Sequence, residues 1–365
     1  MNNRKDTTRR DDITNVRALA IFLVVLGHSI ILYSSAWGYY PTEQKSILLD
    51  NLKFLINGIQ MPLFFSLSGF CFLWSWNRSS DFISQIIKKA QRLIIPYIMI
   101  GICWLFPIRM LVKYPYYNGL TVPHIIFKSI LLGEDNGHLW FLPTLFFITA
   151  ATSCIFQILE KSPLTSFKVP IVFGASIYLY HFGIPSANRY INLAEANAIW
   201  FALGLTIHYL EANKWFESYK RRKSISILLI LLFLVNLLKQ VVPPIASTAL
   251  TCMALASIYC VIPQKANLLT EKISKNSMGI YLFHSPLVYI SFTYWPNIAP
   301  MAMAAINLIG FGSVAYMLTN LIRATNMGWI IGETPKVSPR PFRHHLYCES
   351  APPPTRPNIA VRHRH

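Results

Sequence analysis

Residues 16–36 read VRALAIFLVVLGHSIILYSSA, and the fold follows from how that stretch is read. A helix needs about 20 mostly apolar residues to cross a bilayer. This run supplies them with only two ionisable side chains, Arg17 and His28. Similar runs recur near 54–76, 93–113, 139–159, 169–184, 195–212, 224–242, 244–263, 277–296 and 300–322. Strands are excluded for them, because unpaired backbone groups cannot sit in hydrocarbon. The sequence therefore predicts an all-α, polytopic membrane bundle of about ten transmembrane helices. Composition agrees: hydrophobic residues make up 53% of the 365 and charged residues 13%. That is about half the charge of an ordinary soluble protein, and the mean hydropathy is +0.40. A soluble enzyme, a disordered chain and a collagen-like chain are excluded on these grounds.

The formal charge of +18 suggests nucleic-acid binding until its placement is considered. Lys and Arg collect on the cytoplasmic side of membrane proteins. With both termini cytoplasmic, the inside segments hold 26 of the 33 basic residues. These lie up to Arg17, between Arg78 and Arg92, at Lys161 and Lys168, over Lys214–Lys223 and Lys265–Lys275, and from Arg323 onward. The charge is thus mainly a topology signal, and no nucleic-acid partner is expected. The expected organisation is a cytoplasmic segment 1–15, a multi-pass domain 16–322 in the cell membrane (the inner membrane of a bacterium), and a cytoplasmic tail 323–365. From Pro335 the tail is rich in Pro, Arg and His and cannot bury a core, so disorder is expected there. Its His344, His345 and His363 imply no fixed ligand geometry, and no metal site is expected. Ser34-Ser35-Ala36 offers small residues for signal cleavage, but the long run and its His28 favour an uncleaved first span. Cys71, Cys103, Cys154, Cys252 and Cys260 lie in apolar runs and read as small buried hydrophobes, without zinc spacing.

Ionisable residues inside a membrane are costly, which makes each a functional candidate. Eleven helical steps from Arg17 to His28 come within about 20° of three full turns and span about 16 Å, so both side chains share one face. Imidazole titrates near neutrality, and at this depth His28 is a candidate general base. Its simpler reading is a packing hydrogen bond, and that of Arg17 a snorkelling anchor. Lys88-Lys89-Ala-Gln-Arg92 places basic groups one turn apart at the cytoplasmic edge, suited to phosphate, with anchoring the favoured reading of the motif alone. Glu134, Asp135 and His138, followed by Trp140, are candidates for a polar acceptor at the outer start of the fourth span, where Trp140 also fits an interfacial aromatic belt. Tyr281 and His284 precede Pro286, about two turns into the ninth span, where the broken backbone bonding permits a cavity. Gln60 to Gly69 reads as tight packing or a kinked helix, packing being favoured. His181 and His208 read as structural or interfacial.

Together these features resemble the acyltransferase 3 family of integral membrane O-acyltransferases. The likeness rests on the arginine-ten-residue-histidine spacing, Leu26-Gly27-His28-Ser29, Phe64-Phe65 with Ser68-Gly69, His138-Leu-Trp140-Phe141-Leu142, and Tyr281-Leu-Phe283-His284, in the family's order. It runs from the first span to the tenth. The resemblance implies transfer of an acetyl or related group from cytoplasmic acyl-CoA to a hydroxyl of a cell-surface or lipid-linked carbohydrate. It makes His28 the essential histidine and Arg17 its paired arginine. Lys89 and Arg92 match the basic pair that holds the CoA phosphates, with Lys where Arg is usual. Thr14 stands where many members have an acid, leaving Asp11 or Asp12 to partner Arg17. Acyl-CoA is expected as the donor substrate, with no bound cofactor. The competing readings are a transporter of a sugar lipid or small solute, weakened by the lack of an inverted repeat, and a structural subunit without chemistry.

Overall fold

The computed structural model describes residues 10–34, 46–78, 82–214 and 223–333. All regular secondary structure among them is helical. Each of the ten apolar runs falls on a helix: α1 Asp11–Ser29, α2 Ile47–Arg78, α3 Phe82–Leu111, α4 Gly137–Glu160, α5 Lys168–Phe182, α6 Arg189–Ala212, α7 Lys223–Lys239, α8 Pro244–Val261, α9 Leu268–Tyr294 and α10 Pro300–Ala324. Six of them (α1, α2, α3, α4, α8 and α10) are long and apolar enough to cross a membrane. Helices α5 and α7, with 15 and 17 residues, are shorter. The outer surface is apolar: α7 alone exposes Leu228, Leu231, Leu232, Val235 and Leu238. An apolar face of that extent suits a lipid solvent and not water. Cys103 and Cys154 are also exposed, so the expectation of buried cysteines fails for these two. In a bilayer a small apolar side chain loses nothing by facing lipid.

The helices meet where the sequence supplies small residues. Helix α2 packs along α6, and α1 packs between α2 and α9. At the α2–α6 crossing, a Cβ on Gly69 would overlap the Phe201 carbonyl oxygen, and one on Gly204 would overlap that of Ser66. The two backbones touch there, so the Ser66–Gly69 segment serves packing. Gly27 plays the same part between α1 and α2: a Cβ would lie 2.6 Å from Gln60 Oε1 and 3.0 Å from Ile56 Cγ2.

Two boundaries differ from the apolar pattern. Helix α9 starts at Leu268, well before the apolar run, because Asn267 and Thr270 form a capping box that carries the helix through Glu271, Lys272 and Lys275. His284 therefore lies about four turns into its helix. The tail expected from 323 is folded as far as Glu333. Arg323 binds Glu333 Oε1 at 2.6 Å and the Lys275 carbonyl oxygen at 2.8 Å. The turn Gly328–Ile331 then buries Ile331. Gly332 follows at φ 75°, where a Cβ would overlap the Arg92 carbonyl oxygen, so this segment packs directly on α3. The Pro/Arg/His-rich stretch 335–365 and residues 1–9 lie outside the described residues.

Candidate active site

Helix α1 carries two sites about 16 Å apart along its axis. At Arg17 it lines a cavity of about 130 Å³ together with Lys89 and Arg92 of α3. No carboxylate among the described residues hydrogen-bonds any of these three cations. Arg17 touches Cys71 Sγ at 3.8 Å. Arg92 feels Arg17 as a like charge and Glu333 as an opposite one. The acids expected to serve Arg17 are engaged elsewhere: Asp12 pairs with Arg10 at 2.5 Å, and Asp11 accepts from the Ala266 amide at 3.2 Å. Arg10 in turn reaches Glu211 at 3.0 Å, and these carboxylates push its pKa above the usual guanidinium value. Three cations around one cavity repel each other unless an anion joins them.

At its other end α1 places His28 on a second cavity of about 220 Å³, lined also by His138, Trp140, Asp135, Arg109 and Tyr289. His284 of α9 stands behind His28. The ring centroids are 5.1 Å apart for His28 and His284, 5.7 Å for His138 and His284, and 6.3 Å for His28 and His138. The hydrogen bonds assign the tautomers. His284 Nδ1 lies 2.8 Å from the Ile280 carbonyl oxygen, which only accepts, so Nδ1 holds the proton and Nε2 the lone pair. His28 Nδ1 lies 2.9 Å from the Val24 carbonyl oxygen and 3.1 Å from His284 Nε2, so it donates toward both. His28 Nε2 is left unprotonated and makes no hydrogen bond to the described residues. His138 donates from Nε2 to the Leu282 carbonyl oxygen at 3.1 Å, which leaves its Nδ1 as a buried acceptor without a partner.

A wall of rings separates the cavities. Tyr281 donates its hydroxyl to the His138 carbonyl oxygen, and its ring lies 5.4 Å from that of His138 and 5.7 Å from that of Phe141. Tyr281 and Phe141 line the basic cavity while His138 and Trp140 line the histidine cavity. Glu134 lies apart: it pairs with His124 at 3.7 Å and is half exposed, outside the cavity lining.

The sequence reading passed over Arg109, which is fully buried. Its Nη1 donates to the Asp135 carbonyl oxygen at 2.8 Å, and its Nη2 to Tyr289 Oη at 2.7 Å and Asp135 Oδ1 at 3.3 Å. The guanidinium also lies 4.4 Å from the Tyr114 ring centroid. Gly137 makes this possible: at φ 56° its missing Cβ would lie 2.9 Å from Arg109 Nη2. The signal was present, since Phe106-Pro-Ile-Arg109-Met-Leu sets one cation in an apolar run. Lys53, buried on α2 beside Gly27, was likewise passed over.

The model of an acyltransferase domain, Acyl_transf_3, matches residues 10–320. The chain belongs to the acyltransferase 3 family. No curated protein and no solved structure matches it. As an acyltransferase 3 protein it transfers acyl groups other than amino-acyl groups, and its apolar helices make it a multi-pass membrane protein.

Proposed function

We propose that this acyltransferase moves an acyl group, in the simplest case acetyl, from cytoplasmic acyl-CoA to a hydroxyl of an extracytoplasmic or lipid-linked carbohydrate of the cell envelope. The observation that carries the reading is the Nε2 of His28, which makes no hydrogen bond to the described residues, backed by His284 and set about three helical turns from a cluster of cations that line one cavity. In this reading all ten helices span the bilayer, both termini are cytoplasmic, and the basic cavity opens to the cytoplasm. Arg17, Lys89 and Arg92 hold the phosphates of the CoA nucleotide. The thin pantetheine arm reaches past Tyr281 and brings the thioester to His28. His28 Nε2 takes the proton of the acceptor hydroxyl as its oxygen attacks the carbonyl carbon. The carbon–sulfur bond then breaks, and the imidazolium returns the proton to the departing thiolate. The products are an O-acyl ester and free CoA thiol. A covalent acyl-histidine would form at the same nitrogen.

The test is mass spectrometry of cell-envelope glycans with and without the gene, together with CoA release from acetyl-CoA by the purified protein. Loss of an acyl increment with the gene, and CoA release dependent on the glycan, are the expected results. A transporter or structural subunit would release no CoA, and that outcome would sink the reading.

A further inference from the structure

Attack of a hydroxyl on a thioester builds negative charge on the carbonyl oxygen, and a hydrogen-bond donor already in place there lowers the barrier. His28 Nε2 is an acceptor and cannot supply it. Most side-chain donors on the lining of the histidine cavity, about 220 Å³ in volume, are engaged elsewhere. Arg109 directs its Nη groups at Asp135, Tyr117 and Tyr289, and its Nε is enclosed. His138 Nε2 donates to the Leu282 carbonyl oxygen at 3.1 Å, which Pro286 leaves open because proline has no N–H. Lys53 packs beside Gly27 and is not on the lining. Ser285 and Trp140 differ: neither side chain hydrogen-bonds to the described residues. Ser285 is only 6% exposed. Yet its hydroxyl is not one of the enclosed, unpartnered ones among the described residues, which belong to Ser129, Ser153 and Ser226. Its Oγ therefore keeps open contact with the cavity that Ser285 lines.

Helix α9 fixes where that hydroxyl stands. Ser285, Val288 and Tyr289 line the histidine cavity and Tyr281 lines the basic one, all on one helix face. Ser285 follows Tyr281 by one turn, about 6 Å along the axis. An acyl group that passes the ring wall at Tyr281 meets Ser285 next, in the same small space as His28. We propose that Ser285 is a catalytic residue whose hydroxyl donates to the thioester carbonyl oxygen and stabilises the oxyanion formed there. The inference rests on the acyl-transfer reading and assigns a further role within it. The acceptor oxygen bonds to the carbonyl carbon while His28 Nε2 takes its proton. The carbonyl π pair moves onto oxygen, where the Ser285 hydroxyl holds it without giving up its own proton. The pair returns as the carbon–sulfur bond breaks, and the thiolate receives the proton from His28.

The assay uses the full chain in lipid nanodiscs, with acetyl-CoA and the envelope glycan purified from cells lacking the gene. Ser285→Ala should lower kcat roughly 10²–10³-fold, the effect of losing one oxyanion donor. The KM for acetyl-CoA should stay within about twofold, because the lost interaction belongs to the transition state. Ser285→Thr keeps a hydroxyl and should recover at least roughly a tenth of the rate, whereas Ser285→Val, of the same shape without the hydroxyl, should not. A kcat for Ser285→Ala within about threefold of the unaltered protein overturns the proposal. Equal loss in the Thr and Val variants also overturns it and makes Ser285 a packing residue. Mass spectrometry after an acid quench addresses the covalent alternative: an acetyl ester on Ser285 would make it a nucleophile and overturn the donor role. Absence of CoA release by the unaltered protein defeats the acyl-transfer reading itself, while release that Ser285→Ala leaves intact defeats this proposal alone.

Discussion

His284 Nε2 lies 3.1 Å from His28 Nδ1, although 256 residues separate them in the chain. The contact fixes which nitrogen of His28 carries the proton, and so which one faces the cavity. In the proposed mechanism it also gives the His28 imidazolium a lone pair to lean on, where His28 Nδ1 otherwise has only the Val24 carbonyl oxygen.

Removing that acceptor should slow chemistry without weakening donor binding. We expect His284→Phe to lower kcat roughly 10–100-fold, the loss of one charge-assisted hydrogen bond. The KM for acyl-CoA should not change. His284→Asn, whose Oδ1 is also an acceptor, should recover part of the rate. Equal loss in both variants would mean that His284 only fills space.

His28 itself tests the base assignment. His28→Ala should insert normally, since a small apolar side chain does not hinder a spanning helix. Acyl transfer should fall by at least the roughly 10²–10⁴ that a general base contributes. His28→Gln keeps a hydrogen-bonding group but cannot take the proton, and should be nearly as poor. Transfer to the glycan at matched protein levels is the measurement, and a near-normal Gln variant would make His28 a packing residue.

The cation cluster should set donor affinity. Lys89→Ala and Arg92→Ala should each weaken acyl-CoA binding by about 1.5–3 kcal/mol, the value of a charge-assisted contact. Titration of acyl-CoA against the purified variants measures it. The effect should shrink as salt rises. Unchanged affinity in an intact double variant would make the pair an anchor alone.

The α2–α6 crossing tolerates no side chain. Gly204→Val should destabilise the bundle, because both Cβ and methyls would have to displace the Ser66 backbone. Gly174→Ala, where a Cβ meets nothing within 4 Å, serves as the control. Thermal unfolding in detergent should show a clear drop for the first and little for the second.

Orientation is checked by reporters. A fusion after Lys214 should read cytoplasmic and one after Asn118 extracytoplasmic. A reversed result at either point contradicts the ten-span topology.

Hydropathy alone placed the ten helices, because lipid forces every backbone group to pair within its own segment. It missed the start of α9, where capping and charged residues extend the helix past its apolar part. In the site, the Arg17–His28 spacing was legible because both lie on one helix. The meeting of Arg17 with Lys89 and Arg92, and of His28 with His284, depends on helix packing that no local pattern encodes. Arg109 stands in the sequence only as a lone cation in an apolar run. Its burial against Asp135, Tyr289 and Tyr114 emerges only when α3, α9 and the loop before α4 come together.

The ring wall at Tyr281 and Phe141 has a consequence for the energy economy of the cell. A bundle that passes acyl groups between two compartments runs the risk of becoming a proton leak. The cavities on either side of this wall hold cations at one end and imidazoles at the other, which is the composition of a proton wire were they joined. Interposed aromatic rings offer hydronium no hydration, and the Tyr281 hydroxyl is committed to the His138 carbonyl oxygen. In the proposed transfer across an energised membrane, the partition would keep the two cavities from joining into such a wire.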